Sequence, residues 1–377
     1  MVHVMLCPLV TVCVPTYNKA SLLRQSLESI LAQTFSDFKL IVVDDHSSDD
    51  TWEVVTSLRD ERVEYVFNAT NLGYTANCNR CIDLALESRS RYIAIYYDDD
   101  YYAPTILERE VNFLERHSRV GFVHTAQFYY KEDESRYSLA RPYPTDCTLS
   151  GIELLDDLCL RGRYHITTPS VLARRDAYVK AGNFESIFKV CPDLDLWWRM
   201  LEHYDMGYVA EPLLTQRIHR QQISSSAKAL SNAIVQKELL IVLERALQRL
   251  DSKYHNINLE RYRAGINRYY AKQVLFVSKD ALLRGDATLL SEACGVALQL
   301  TPTFVTYVSV LCLRLFNNSL GRRVAFVVIK VARSFRERAW LFDPRRHENL
   351  IPCGKRKVDA VQFSQIENKE AEQSEMS

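Results

Sequence analysis

Residues 10–51 read VTVCVPTYNKASLLRQSLESILAQTFSDFKLIVVDDHSSDDT, and this stretch decides the fold. Val10 to Val14 is a short β-branched run, and Leu40 to Val43 is a second. Between them Leu22, Leu23, Leu27, Ile30 and Leu31 recur at helical spacing. Two such strands joined by one helix form a βαβ unit, whose strands lie parallel in a single sheet. The alternation continues outward, with apolar runs at Val63 to Phe67 and Tyr92 to Tyr96 and helical patterns near 20–33, 50–58, 75–87 and 104–116. Ser47, Ser48 and Asp49 are N-cap candidates for the second helix. From about 120 to 220 the runs Val120 to Tyr130, Val171 to Ala173 and Tyr208 to Leu214 surround a helix beginning near Pro192 and complete the sheet. After Gln221 the chain reads helical to about 340, and beyond Lys357 a polar tail is too poor in apolar residues to pack. The expected fold is therefore α/β, a largely parallel sheet flanked by helices, with a helical C-terminal extension.

Composition narrows the classes further. The 377 residues are 47% hydrophobic and 25% charged, which excludes collagen, coiled coil and disorder throughout. Forty-seven basic residues balance forty-seven acidic ones, so no whole-chain field would hold nucleic acid, and none is expected as a partner. The ten cysteines lack the spacing of a disulfide framework and read as reduced thiols. Cys78 and Cys81 form a lone CxxC with no second pair at a zinc-site spacing, so they are expected on a buried helix face. The N-terminal apolar stretch has no basic lead-in and runs into a strand, unlike a signal peptide, which favours a cytoplasmic location. Phe304 to Phe316 is interrupted by Arg314 and is shorter than the roughly 20 residues of a membrane span, so no transmembrane helix is expected.

In an open parallel sheet, ligands sit outside the carboxyl ends of the strands. Here those ends are Pro15-Thr16-Tyr17-Asn18, Asp44-Asp45-His46-Ser47 and Asp98-Asp99-Asp100. Adjacent carboxylates repel unless a cation compensates, and oxygen ligands suit Mg²⁺ or Mn²⁺, with Mg²⁺ completing its shell on substrate phosphates. Neither G-x-x-x-x-G-K-[ST] nor G-x-G-x-x-G occurs, which removes the P-loop and the dinucleotide fingerprint. A metal-neutralised phosphate remains the expected ligand.

The quoted stretch, followed by NATNLGYTANCNRCIDLAL, YIAIYYDDDYYAP and PDLDLWWRM, resembles the family-2 inverting glycosyltransferases, whose nucleotide-sugar domain has the GT-A fold. The resemblance covers roughly residues 8–220. It implies a nucleotide-sugar donor, favouring UDP or dTDP, with Pro15 and Tyr17 lining the base pocket and Asp45 accepting from the base N3–H. Asn71, Gly73, Asn77 and Asn79 would border the nucleotide, with Cys78 standing where an arginine is common. Anchored on Pro104, the family's Asp-x-Asp ends on Asp99 and begins on Tyr97, making Asp99 the main metal ligand, Asp98 a ribose contact and Asp100 a support of the metal shell. Asp98 and Asp100 themselves form the alternative register. The family's base corresponds to Asp193, with Pro192 replacing a glutamate, and Asp195 is its rival by spacing. His219 matches a histidine that reaches the diphosphate or metal, and Arg217 and Arg220 beside it suit phosphate.

The implied reaction has Asp193 take the proton of an acceptor hydroxyl while that oxygen attacks the anomeric carbon. A glycan or lipid-linked acceptor, in cell-surface polysaccharide or glycolipid assembly, is the implied setting. A nucleotidyltransferase on a related fold is the alternative, although no glycine-rich basic loop follows the first strand. The other is a non-catalytic sugar-nucleotide or membrane-binding module. The expected domains are 1–225 for the GT-A unit, 226–357 for the helical extension and 358–377 for a disordered tail. Arg322, Arg323, Lys330, Arg333 and Arg336 cluster opposite Val324, Val327, Val328, Val331 and Phe335 at about 100° per residue. From 303 to 357 twelve Lys or Arg face three Asp or Glu. That basic helix would either hold an anionic bilayer surface, making the protein peripheral on the inner face of the membrane, or pack on the catalytic domain.

Overall fold

Val10–Thr16 forms β1, the strand around which the sheet is assembled. In this computed structural model, residues 7–131, 135–161, 166–188, 191–219, 233–255, 257–300 and 310 are described. Chain order continues with α1 (Ala20–Leu31), β2 (Phe38–Asp44), α2 (Thr51–Ser57), β3 (Val63–Phe67), α3 (Tyr74–Glu87), β4 (Tyr92–Ile95), β5 (Tyr101–Tyr102) and α4 (Ile106–Arg116). Next come β6 (Val120–Lys131), β7 (Arg136–Ala140), β8 (Cys147–Leu149), α5 (Gly151–Arg161), β9 (Leu172–Arg174), α6 (Arg175–Ala181), α7 (Pro192–His203) and β10 (Asp205–Ile218). Three helices follow, α8 (Ala233–Tyr254), α9 (Leu259–Arg284) and α10 (Ala287–Leu300).

The sheet order is β3-β2-β1-β4-β9-β6-β10-β5, with β7 on β6 and β8 on β10. The first four strands are parallel, as their βαβ spacing requires, with Val12 opposite Leu40 on one side and Tyr92 opposite Val10 on the other. Beyond them the sheet is mixed: β9 runs antiparallel to both β4 and β6, while β6 and β10 are parallel. The change of direction falls at a short element. β9 is three residues long, enters from a single 3₁₀ turn at Thr168–Ser170 and leaves directly into α6.

Strand alternation divides the core. Val10, Val12 and Val14 pack with Leu23, Leu27 and Ile30 of α1 and with Leu107, Val111 and Leu114 of α4. Cys13 points to the opposite face, with Ile41, Val43 and Ile93 and with Cys78, Cys81, Ile82 and Ala85 of α3. Both cysteines of the CxxC are fully buried free thiols, as expected for a helix face in the core.

That second cluster extends into the C-terminal helices. Val242, Leu243, Ala246, Leu247 and Leu250 of α8, and Tyr262, Ile266 and Tyr270 of α9, share it with Leu154, Leu155 and Leu158 of α5 and Trp198 and Leu201 of α7. Gly265 lets α9 approach: a Cβ there would lie 2.5 Å from Cys159 Cβ and 3.1 Å from its Cα. Among the described residues no helix is long and apolar enough to cross a membrane. The basic segment 322–336 and the tail from 358 lie outside the described residues.

Candidate active site

Because β1, β2 and β4 run parallel, the turns leaving their carboxyl ends meet along one edge. The first two turns are stitched together. Ser48 N donates to Asn18 Oδ1 at 2.8 Å, Asn18 N donates to Ser47 Oγ at 2.9 Å, and Asn18 itself adopts a left-handed conformation with φ 50°. Asp49 accepts from Ala20 N at 2.9 Å and from Thr51 Oγ1 at 2.5 Å, so one carboxylate serves the first turns of both α1 and α2. Burial works to raise its pKa, but those donors hold it below the usual carboxylate range.

Asp45, immediately after β2, is 2% exposed. Its Oδ1 accepts from Asn68 Nδ2 at 3.0 Å and Leu72 N at 2.8 Å, and its Oδ2 accepts from Gly73 N at 2.8 Å. Gly73 has φ 84°, a conformation that favours glycine, and this aims its N–H at the carboxylate as α3 begins. A carboxylate offers about four acceptor positions, and the remaining one lies on Oδ2. Pro15 is buried opposite Val43, whereas Tyr17, Phe67 and Leu72 stay about half exposed (48%, 50% and 47%). Leu72 donates its backbone N–H to Asp45, and Tyr17 and Phe67 follow and precede residues bonded to it, so three exposed apolar side chains stand on the segments that hold Asp45. Asn77 supports the cluster from inside, donating to Val43 O and accepting from Asn68, and is 2% exposed. Asn71 donates to Asp45 O, whereas Asn79 ties α3 to both backbone groups of Phe184.

The acidic turn after β4 is buried throughout. Lys19 Nζ donates to Asp98 Oδ1 at 2.9 Å and to Asp99 Oδ2 at 2.8 Å. His219 Nε2, carried in by the end of β10, lies 3.1 Å from the same Asp99 oxygen. Burial opposes ionisation of Asp99, but Lys19 and His219 together hold it below its ordinary pKa. Burial pushes Asp100 well above its own, reinforced by the Asp99 charge. Asp100 turns inward: Oδ1 accepts from Arg217 N at 3.0 Å, and Oδ2 has no partner among the described residues. The structure thus brings Asp98, Asp99 and His219 together and leaves Asp100 beneath them.

Arg217 is 2% exposed and braces this turn. It donates to Asp99 O, to Leu22 O at 3.0 Å and to Gln25 Oε1 at 3.1 Å, with its guanidinium 4.4 Å from the Tyr101 ring centre. Arg220 lies outside the described residues. Cys78 is wholly buried, so no phosphate contact comes from the position where an arginine is common.

Asp193 stands in the first turn of α7 behind Pro192. Its Oδ2 accepts from Thr168 Oγ1 at 2.7 Å, and that hydroxyl accepts in turn from Trp197 Nε1 at 3.1 Å. Burial raises the Asp193 pKa, with the Thr168 bond opposing the shift. Burial and then the Asp193 charge push Tyr97 well above its range, which puts the two in one electrostatic neighbourhood. Tyr97, at the first position of the expected Asp-x-Asp, accepts from Tyr74 Oη at 2.9 Å. Asp195 points away, fully buried against Arg199 at 2.7 Å and Arg249 at 3.5 Å, and serves packing.

Sequence reasoning missed Lys19, Thr168 and the bracing role of Arg217. Lys19 had a signal, since a cation directly follows the Pro-Thr-Tyr-Asn turn and faces the acidic strand ends. Thr168 had none, because the side chain it holds is 25 residues further along the chain.

Residues 11–181 match the family model described as Glycosyl transferase family 2. A putative glycosyltransferase, EpsE of Bacillus subtilis, is 27% identical over 71% of this chain and 95% of its own length. The Escherichia coli enzyme WfaP, named as a UDP-Glc:α-D-GlcNAc-diphosphoundecaprenol β-1,3-glucosyltransferase, is 29% identical over 33% of this chain and 48% of its own. Among solved structures, S. aureus TarS 1–349 in complex with UDP-GlcNAc superposes with a TM-score of 0.56 at 15% identity, covering 84% of this chain and 87% of that one. This last likeness is one of fold.

Proposed function

We propose that this chain, a glycosyltransferase whose residues 11–181 match the family-2 model, moves a sugar from a pyrimidine nucleoside diphosphate to a hydroxyl acceptor with inversion, using Asp193 as the base. The observation that carries this reading is the opposite setting of two aspartates at one edge. Asp99 lies between two basic side chains, Lys19 Nζ at 2.8 Å and His219 Nε2 at 3.1 Å, which hold it below its ordinary pKa. Among the described residues the only side-chain donor to Asp193 is the neutral Thr168 hydroxyl at 2.7 Å, and burial raises its pKa. The first suits a charge-neutralising role and the second a proton-accepting one.

The remaining acceptor position on Asp45 Oδ2 suits the N3–H of a uracil or thymine ring, with Tyr17 and Leu72 as its apolar walls. A divalent cation fits beside Asp98 and Asp99, because an ammonium already bridges their oxygens there. Among the described residues no three His, Cys, Asp or Glu side chains form a ready cage, which is the arrangement expected of Mg²⁺ or Mn²⁺ that relies on one or two carboxylates and on substrate phosphates. Such an ion would neutralise charge gathering on the leaving diphosphate. Asp193, steadied by Thr168, takes the acceptor proton as the acceptor oxygen closes on the anomeric carbon from the opposite face. The undecaprenol-linked acceptor in the name of the E. coli relative supports a lipid-linked or glycan acceptor and work at the inner membrane face.

Calorimetry with UDP, CMP, GDP and dTDP, with and without Mn²⁺, tests the donor site. A metal-dependent preference for UDP or dTDP that disappears in Asp99→Ala is expected. Binding that ignores both metal and Asp99 would return the site to the non-catalytic alternative.

A further inference from the structure

In the reaction just described Lys19 does no more than keep Asp99 ionised, yet its ammonium lies where the divalent ion is proposed to bind. Its Nζ lies 2.9 Å from Asp98 Oδ1 and 2.8 Å from Asp99 Oδ2, and the latter oxygen is also 3.1 Å from His219 Nε2. An ammonium and a divalent ion compete for these oxygens, since like charges a few ångströms apart in a partly buried site repel. Release of the ammonium therefore favours entry of the ion.

The backbone of Lys19 is fixed, because Leu22 N and Leu23 N donate to its carbonyl at 2.9 and 3.0 Å and open α1. Its head is not fixed in the same way. The side chain is 25% exposed and carries four methylenes, so the ammonium can swing while the turn stays in place. The first turn of α1 behind it adds favourable field for an anion.

We propose that Lys19 is a resident counter-ion of the acid pair, exchanged for the divalent cation only when a nucleoside diphosphate arrives to receive the ammonium. Metal and diphosphate then bind as a pair, each raising the affinity of the other by the same factor. A nucleoside monophosphate, with less charge to offer the lysine, couples less. This rests on the nucleotide-sugar reading of the site and specifies the order of assembly within it.

The test measures Mn²⁺ binding to the full chain by electron paramagnetic resonance, alone and with UDP or UMP, for wild type, Lys19→Met and Lys19→Arg. In wild type, UDP is expected to tighten Mn²⁺ by about tenfold or more, and UMP by less. Lys19→Met should bind Mn²⁺ alone about tenfold more tightly than wild type, with the coupling to UDP reduced by the same factor and only the part due to direct phosphate–metal contact retained. Lys19→Arg keeps a cation at the pair and should stay weak for Mn²⁺ alone. A Met variant that needs metal to fold still reports, since Mn²⁺ alone should then raise its melting temperature, an effect wild type shows only with UDP present. A Met variant that binds Mn²⁺ no more tightly than wild type, or that stays unfolded in Mn²⁺, overturns the proposal. If wild type binds neither UDP nor Mn²⁺ in any combination, the donor-site reading itself fails.

Discussion

At the carboxyl edge of β1, β2 and β4, buried charged groups are held by one another. Across α5, α7, α8 and α9, contacts run mainly between aliphatic and aromatic side chains, crossed by the ion pairs of buried Asp195 with Arg199 and Arg249. The edge depends on direction: Asp45 needs Asn68, Leu72 and Gly73 in place, and Asp99 needs Lys19 and His219. The helical flank depends on volume, with Leu247 and Leu250 filling space against α5 and α7. A directional site fails when one partner is removed, whereas a packed flank fails in proportion to the volume taken out.

Substitutions on the two sides should therefore break different things. Asp193→Asn keeps the shape and removes the proposed base, so on that reading kcat should fall by about 10²–10⁴ while the proposed UDP binding, read by calorimetry, stays unchanged. Asp45→Ala strands two backbone N–H groups and the Asn68 amide. Chemical denaturation should show a loss of about 3–4 kcal/mol, together with loss of nucleotide binding. Leu247→Ala, at a wholly buried site in α8, should lower stability by about 2–4 kcal/mol yet leave UDP affinity per folded molecule intact. If nucleotide affinity fell with it, the edge and the flank would be one mechanical unit and the contrast would dissolve.

The smallest change sharpens the contrast by pH. Only ionised Asp193 can accept a proton, so activity should decline as pH falls through a pKa that burial has raised. Thr168→Val removes the bond that opposes this rise, so the acid limb of kcat/KM should move to higher pH. The limb staying put would mean that Thr168 positions the carboxylate without tuning it.

The edge was the more legible side in the sequence. Short β-branched runs located β1 to β4 to within a few residues, and the acidic turns and the helix at Pro192 stood where strand ends and motif spacing put them. The parallel expectation weakened past β4, because β9 is only three residues long and carries no periodic signal. The short strands β5 and β8 went unread for the same reason, whereas β7, α6 and α5 were missed although Ile152, Leu154, Leu155 and Leu158 of α5 do recur at helical spacing. Within the site, types were legible and orientations were not. Asp98, Asp99 and Asp100 look alike in sequence, and only the Arg217 backbone beneath and the Lys19 side chain beside them separate an inward acid from two that face the cleft. On the flank, apolar spacing announced helices without saying what they cover, and Gly265 against Cys159 shows how close the match is.

The brace at Arg217 bears on the order in which the chain can become competent as it leaves the ribosome. The acidic turn emerges more than a hundred residues before the strand that locks it: Arg217 N is 117 positions from Asp100, and His219 is 120 from Asp99. Lys19 is already available when the turn appears, 79 and 80 positions behind its two carboxylates. A nascent chain stopped at residue 181, where the family match ends, would hold Asp45 and the acid pair but lack Asp193, Arg217 and His219. The boundary of the recognisable family segment and the boundary of a working unit are thus different places in the chain, and a fragment designed on the first would be born without its lock.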